Sequence, residues 1–455
     1  MNEKTAAAIA TPNAPGGIGI IRISGPEALQ ITDRVFRAVD GSKITDSKGY
    51  RAHFGDVIYN NEKIDEAVCL VFRAPHSYTG EDVAEINCHG GLFVTKQILR
   101  AVIEAGAEPA GPGEFTKRAF LNGKMDLAGS ESVMALISAS GKQAAAAALN
   151  TLEGNLSKKI NACCDRIIGV CASLAAWVDY PDEDIEETET SEMTEVFSSV
   201  KAELEDIIRR YDCGKAVTEG VDAVIVGKPN VGKSTVMNLL SGYQRSIVTD
   251  IAGTTRDVVE EKITIGDIVL KIADTAGIHD TENVVENIGV DLARKRLNRA
   301  ELVLAVFDGS SPLSAEDSTI IEQCREKKKI ALLNKADLPR LADRGVIGKD
   351  FDKVVEISAL TGEGVRELEK ALSEILMTDE FDPAAACLTG ERQRNCCIRA
   401  VEQLEECISA LQSGVTLDAV NVCADCAVDA LLELTGKKAR TAVVDEVFSR
   451  FCVGK

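Results

Sequence analysis

Along the chain, short apolar runs bounded by turn residues alternate with long stretches of helical spacing, and each change of pattern marks out a block. Residues 1–120 hold the strand-like runs Gly19 to Ile23, Ala67 to Phe72 and Ala84 to Cys88. Turn signals such as Pro15-Gly16-Gly17 and Thr79-Gly80 separate them, so the block predicts a mixed α+β domain. From Gly129 to Arg210 the apolar positions recur at helical spacing in an Ala- and Leu-rich background, with a break at Tyr180-Pro181. The helical pattern returns from Gly390 to Phe451. Between the two helical stretches lie four runs of the buried-strand kind: Val221 to Val226, Val269 to Ala273, Ile330 to Leu333 and Val354 to Ile357. The predicted architecture is α/β and α. An N-terminal α+β domain covers 1–120, a helical domain lies in two halves over 121–215 and 380–455, and a compact α/β domain over 216–379 is spliced between those halves. Such a splice transmits movement of the inserted domain directly into the helices.

The first strand of the inserted domain runs into Gly227-Lys228-Pro229-Asn230-Val231-Gly232-Lys233-Ser234, which fits G-x-x-x-x-G-K-[ST] at every fixed position, and a helix-like segment from Thr235 to Leu240 follows. In that strand–loop–helix setting the motif is a phosphate cradle rather than an ordinary Gly-rich turn. Glycines let backbone N–H groups converge on phosphate oxygens, and the helix N-terminus adds its positive end. Lys233 is expected to reach the β- and γ-phosphates and Ser234 to hold Mg²⁺. Asn334-Lys335-Ala336-Asp337 follows another strand-like run, and N-K-x-D in that place reads guanine. The Asp337 carboxylate would accept from the base's N1–H and exocyclic amine, which adenine cannot satisfy, so discrimination should be steep. Ser358-Ala359 supplies a second guanine contact. Between these motifs, Asp274-Thr275-Ala276-Gly277 would bind Mg²⁺ through water at Asp274 and sense the γ-phosphate at the Gly277 N–H. Thr255, in Gly253-Thr254-Thr255-Arg256-Asp257, completes the Mg²⁺ shell, since this ion takes oxygen ligands in octahedral array. The ordered set predicts a Ras-like P-loop GTPase domain.

One position departs from many GTPases. Ile278 stands after Gly277, where a water-orienting Gln is common, and an isoleucine cannot hydrogen-bond water. Catalysis must borrow a polar group. Glu282 and Glu286 are on offer, although both also read as solvated helix charges, and spacing alone does not choose. Arg256 could serve as an arginine finger in cis, or a monovalent cation near Asn230 could supply the missing positive charge.

With 51 Lys+Arg against 72 Asp+Glu the net charge is −21, which excludes a whole-surface funnel for nucleic acid. RNA contact must use a local basic patch or a partner protein. Part of the acidity lies in the run Asp182, Glu183, Asp184, Glu186, Glu187 and Glu189, by default a solvated loop. Fourteen cysteines beside a start that lacks a signal peptide point to a reducing, cytoplasmic setting, and no window reaches membrane-spanning length. Cys423-x-x-Cys426 lies in a helical pattern without a second ligand pair, so two buried structural cysteines are expected there.

Further motifs extend the picture to the whole chain. They are Ala10-Thr11-Pro12; Gly17 to Gly25 (GIGIIRISG); Ala74 to Asp82 (APHSYTGED); Cys88-His89-Gly90-Gly91; Gly111 to Thr116 (GPGEFT); Arg118 to Lys124 (RAFLNGK); and the closing Phe451-Cys452-Val453-Gly454-Lys455. This set resembles the MnmE (TrmE) family of tRNA-modification GTPases, bacterial and organellar proteins with an F-C-[I/V/L]-G-K terminus. The resemblance implies that the N-terminal domain dimerises and binds a tetrahydrofolate one-carbon carrier, 5-formyl or 5,10-methylene, through Arg22, Glu81, Lys124 and Lys455. A carboxylate suits the amide edge of a pterin, and the cations suit the glutamate tail. It also implies GTP contacts from Asn230, Val231, Gly232, Lys233, Ser234 and Thr235, and from Thr249, Asp250, Ile251, Ala252, Gly253, Thr254 and Thr255. K⁺ would be held by Asn230, Thr249, Ile251 and Thr254, and catalysis carried by Glu286 together with Lys233 and Thr255.

Family members work as homodimers with an FAD flavoprotein called MnmG or GidA, in a heterotetramer that uses NADH. Together they add an aminomethyl or carboxymethylaminomethyl group at C5 of the wobble uridine, position 34, of certain tRNAs. Such a partner answers the charge problem, because it can carry much of the RNA contact. Cys452 invites a nucleophile reading, such as addition to uridine C6, and equally a role in burying the tail. The rival from another class is a regulatory switch such as a ribosome-assembly GTPase. The inserted domain cannot separate the two. The flanking regions do, since they match the modification family and carry no KH-type G-x-x-G segment with a basic surround.

Overall fold

The computed structural model describes residues 4–179, 190–243, 260–273, 297–298, 300–325 and 327–455. The N-terminal region builds β1 (Ala6–Ile9), β2 (Ile18–Ser24), α1 (Ala28–Val35), β3 (Phe36–Ala38), β4 (Arg51–Tyr59), β5 (Glu62–Phe72), β6 (Val83–His89), α2 (Leu92–Glu104), β7 (Glu108–Pro109) and α3 (Glu114–Leu121). Its strands pair in the order β3-β4-β5-β6-β2-β1-β7. The period-two alternation of β2 sends Ile21 and Ile23 into a core with Leu29 and Ile31 of α1 and Ile98 and Val102 of α2. Arg22 and Ser24, by the same alternation, point to the opposite face. There Ala6, Ala8 and Phe115 form a smaller core beneath α3.

Four helices follow: α4 (Leu127–Ser138), α5 (Lys142–Leu152), α6 (Asn155–Asp179) and α7 (Thr190–Thr218). The chain then enters a second sheet made of β8 (Val221–Val226), β9 (Glu260–Ile265), β10 (Ile268–Ala273), β11 (Leu302–Asp308), β12 (Lys328–Asn334) and β13 (Lys353–Glu356). Helices α8 (Lys233–Tyr243), α9 (Ala315–Gln323) and α10 (Val365–Leu376) flank it. The order is β13-β12-β11-β8-β10-β9, parallel except at the β9 edge. Leu302 to Phe307 of β11 are all buried, as a parallel strand covered on both faces requires. Ligands of such sheets sit beyond the carboxyl ends of the strands, and the motif residues after β8, β12 and β13 lie there.

The chain returns to the bundle in α11 (Glu391–Gln412), α12 (Leu417–Thr435) and α13 (Thr441–Ser449). Helices α6, α7, α11 and α12 share one core, so the two helical stretches of the sequence do form a single body around the inserted α/β domain. Cys163, Cys164, Cys171, Cys396, Cys397 and Cys407 fill much of it as small hydrophobes. Cys423 and Cys426 depart from the expected buried pair. Cys423 is half-buried with its thiol toward Glu406 of α11, 3.7 Å away, and Cys426 is exposed. Three residues along a helix turn a side chain by about 60° short of a full turn, enough to carry the second thiol off the packed stripe.

After α13 the chain crosses to the N-terminal sheet. Val453 forms an antiparallel bridge with Pro112, the Gly113 N–H donates to the Cys452 carbonyl at 3.3 Å, and the Phe115 N–H to that of Lys455 at 3.0 Å. Gly454 is required at this junction. Its φ is +97°, and a Cβ there would stand 2.3 Å from the Ile9 carbonyl oxygen.

Candidate functional site

The phosphate loop is shaped by backbone that few side chains tolerate. Asn230 sits at φ +64° and Gly232 at +96°. A Cβ on Gly227 would meet the Val306 carbonyl at 2.5 Å, and one on Gly232 would meet the Asn334 amide at 2.3 Å. These positions therefore belong to glycine by close approach, and the loop is pressed against β11 and the guanine motif. Lys233 opens α8 and curls back, its Nζ donating to the carbonyls of Gly227 and Lys228 at 2.8 Å each. Half-buried over neutral carbonyls, the ammonium is pushed below its usual range by desolvation. Among the described residues its hydrogen bonds go to these two carbonyls alone. Ser234 and Thr235 follow on the first turn of α8.

The guanine motif divides its labour. Asn334 is buried and faces inward, its amide donating to the Val231 carbonyl at 2.9 Å and its oxygen accepting from the Ala359 N–H at 3.0 Å. It ties together the phosphate loop, the N-K-x-D turn and the Ser358-Ala359 loop. Asp337 is exposed, and the buried Ser358 hydroxyl donates to its Oδ1 at 2.6 Å, which fixes the carboxylate at the surface. Lys335, at φ +67°, reaches back to Asp308 at 2.6 Å. Thr249, Asp250, Ile251, Ala252, Gly253, Thr254, Thr255, Asp274, Thr275, Ala276, Gly277 and Glu286 lie outside the described residues, as do Arg256, Ile278 and Glu282.

A second cluster gathers on the face of the N-terminal sheet opposite α1 and α2. The Arg22 guanidinium is bonded to Glu85 at 2.7 Å and lies over the rings of Tyr78 and Phe115, with centroids 5.4 and 5.5 Å away. Lys455 arrives from the far end of the chain. Burial first, and then the neighbouring Arg22 charge, depress its ammonium below the usual lysine range. Glu81 accepts from Ser24 Oγ at 2.7 Å and from the buried Arg118 at 3.0 Å. Lys124 packs against Gly80, with its ammonium on the Pro75 carbonyl at 3.0 Å. Arg22, Glu81 and Lys455 thus share one face, and Lys124 stands at its rim. Cys452 is half-buried in the tail that delivers Lys455.

Tyr78, Glu85, Phe115 and Arg118 belong to this cluster without having been singled out by residue type. One signal was available for Arg118, a cation at a position where the α3 pattern calls for an apolar side chain. Asp317 was missed beside the phosphate loop and Asp308 beside the N-K-x-D turn, although Ser314-x-x-Asp317 reads as a capping box in sequence.

A family model described as the MnmE helical domain matches residues 127–452, and another described as the GTP-binding protein TrmE N-terminus matches residues 5–124. The chain is 41% identical over 460 residues to the tRNA modification GTPase MnmE of Alkaliphilus metalliredigens, covering 100% of this chain and 99% of that one. It is 40% identical over 458 residues to the protein of the same name from Acetivibrio thermocellus, with the same coverage. Among solved structures, the G domain of the T. maritima FeoB iron transporter matches at 25% identity, covering 34% of this chain and 98% of its own, with a TM-score of 0.26.

Proposed function

The chain belongs to the MnmE family of tRNA modification GTPases, and from that premise we propose that its Lys233 loop hydrolyses GTP in the service of wobble-uridine modification. The observation that carries this reading is Lys233 itself, a half-buried cation held over two carbonyls inside a loop whose glycines let it press against β11 and the N-K-x-D turn. Asp337, steadied by Ser358, selects guanine, and Asn334 keeps base and phosphate ends in register. Mg²⁺ on Ser234 and Thr255, with Asp274 through water, and K⁺ on Asn230, Thr249, Ile251 and Thr254, supply positive charge against the phosphate oxygens when bound. Asn230 is exposed on the loop at φ +64°, and its amide oxygen is of the donor type such a hard cation takes. Glu286 orients the attacking water in place of the Gln that Ile278 displaces.

The reading extends to partners and to the second cluster. A tetrahydrofolate carrier binds where Arg22 and Lys455 present two cations beside the Tyr78 and Phe115 rings. A homodimer of this chain and an FAD flavoprotein complete the enzyme, which adds the (carboxymethyl)aminomethyl group at uridine C5. The deciding experiment compares wobble-uridine nucleosides in cells with and without this protein. Unchanged nucleosides overturn the modification reading. For hydrolysis, Glu286→Ala should lower kcat by roughly 10²-fold with little change in nucleotide affinity, the scale of a positioned general base. Replacing Na⁺ by K⁺ at fixed ionic strength should raise the parental rate, and Asn230→Ala should remove that difference. Parental hydrolysis in Glu286→Ala refutes its role.

A further inference from the structure

The segment from Asp308 to Asp317, which joins β11 to α9, touches the nucleotide loops at both ends without carrying any nucleotide-binding motif. At its start, Asp308 receives Lys335 at 2.6 Å, and the next residue's amide, Gly309 N–H, donates to the Asn334 carbonyl at 2.8 Å. At its end, Asp317 is 2% exposed, and its Oδ2 alone accepts three donors: Lys228 Nζ at 2.7 Å and the Ser314 N–H and hydroxyl at 2.8 Å each. Its Oδ1 is buried with no partner among the described residues. Lys228 also donates to Ser314 Oγ at 3.2 Å, so its ammonium is pinned to the first turn of α9. The Lys228 carbonyl is one of the two that hold Lys233. Burial opposes the charged form of Asp317, yet Lys228 and the Ser314 groups outweigh it and keep the carboxyl below its usual range.

We propose that this segment is a brace for the nucleotide site, with Asp317 positioning the phosphate loop through Lys228 and Asp308 positioning the guanine motif through Lys335. The inference rests on the GTP-site reading above. Neither carboxylate is placed to touch nucleotide; each acts through a lysine. Breaking the Asp317 pair frees the backbone of Lys228, and with it one of the anchors of Lys233. Transition-state contacts tolerate such slack far less than ground-state binding does, because productive geometry is lost within about 0.5 Å. Breaking the Asp308 pair frees the lysine beside the base, and the loss should appear in affinity instead.

The experiment measures kcat, KM and GDP affinity for Lys228→Met, Asp317→Asn, the double variant, Lys228→Arg and Asp308→Asn. Lys228→Met and Asp317→Asn should each lower kcat about tenfold, with GDP affinity within about threefold of the parent. The double variant should be no worse than either single, and Lys228→Arg, which keeps the ion pair, should restore most of the rate. Asp308→Asn should weaken GDP about tenfold at a kcat within about twofold. A pair that only held the fold together would lower the melting temperature and leave kcat and KM untouched in the folded fraction. That result, or effects that simply add in the double variant, overturns the brace. Lys233→Ala separates the two levels. Parental GTP binding in that variant overturns the site reading itself, whereas lost binding beside unchanged brace variants overturns only the brace.

Discussion

The phosphate loop and the cluster around Arg22 each hold a partly buried lysine, yet they are built in opposite ways. The loop is eight consecutive residues whose work is done by backbone: positive φ, close approaches at Gly227 and Gly232, and one lysine folded over its own carbonyls. The cluster is made of side chains from five separate segments, and its second cation comes from a tail at the far end of the chain, beside the Lys117–Asp445 pair that itself spans 328 positions of sequence. A backbone-built site travels as a spelled motif. A side-chain-built site exists only once the fold has assembled it.

The comparison can be broken at its strongest point first. Asp337→Asn should swing the preference from guanosine to xanthosine triphosphate by on the order of 10³-fold, because an unmatched polar edge is left in a site built for pairing. Competition binding checks this, and folate binding should not move. Lys233→Ala should cost at least roughly 10²-fold in GTP affinity, the scale of a lost charge-assisted contact to phosphate in a partly buried site, read by titration with a fluorescent GTP analogue. If folate affinity falls with it, the two sites are not independent and the contrast drawn above fails.

On the other side, Gly454→Ala forces a Cβ against the Ile9 carbonyl and should cost about 1–3 kcal/mol of tail docking. Tetrahydrofolate affinity should drop about tenfold while GTP hydrolysis stays within about twofold, the tail being the only element disturbed. Lys455→Met, which keeps the backbone, should give a similar loss of affinity without the loss of docking. The smallest effect concerns thiols. Cys426 should label fast with a thiol reagent at pH 8 and Cys452 more slowly. Burial pushes Cys407 up to about 12, which leaves on the order of one thiolate in ten thousand at that pH. Labelling of Cys407 at the rate of Cys426 would show that the bundle opens.

What could be read beforehand follows the same division. The strands at Val221–Val226 and Lys328–Asn334 were legible because parallel strands buried on both faces show apolar runs, here Ala223 to Val226 and Ile330 to Leu333. The inserted arrangement was legible because helical spacing stops and resumes around them. Residue type also announced Asn334 and Asp337, but not that Asn334 turns inward to bind Val231 while only Asp337 faces out, since that choice is made by the Ser358 loop. Glu85 was silent because its partner, Arg22, stands 63 residues away, and the place of Arg118 against Glu81, 37 residues off, showed only as a cation on an otherwise apolar helix stripe. Cys423 and Cys426 were misread because a helical pattern gives the stripe and not its width.

The docking of Val453 against Pro112 carries a consequence for how the protein is made. Domains usually finish in the order in which they leave the ribosome, at about 5–20 residues per second. Here the first domain to emerge lacks a bridge partner, the partner of its Phe115 amide and its second cation until the segment around Lys455 has been synthesised, tens of seconds later at those rates. The earliest domain is therefore the last to be completed. A chain cut short anywhere in the bundle would carry an unfinished Arg22 face.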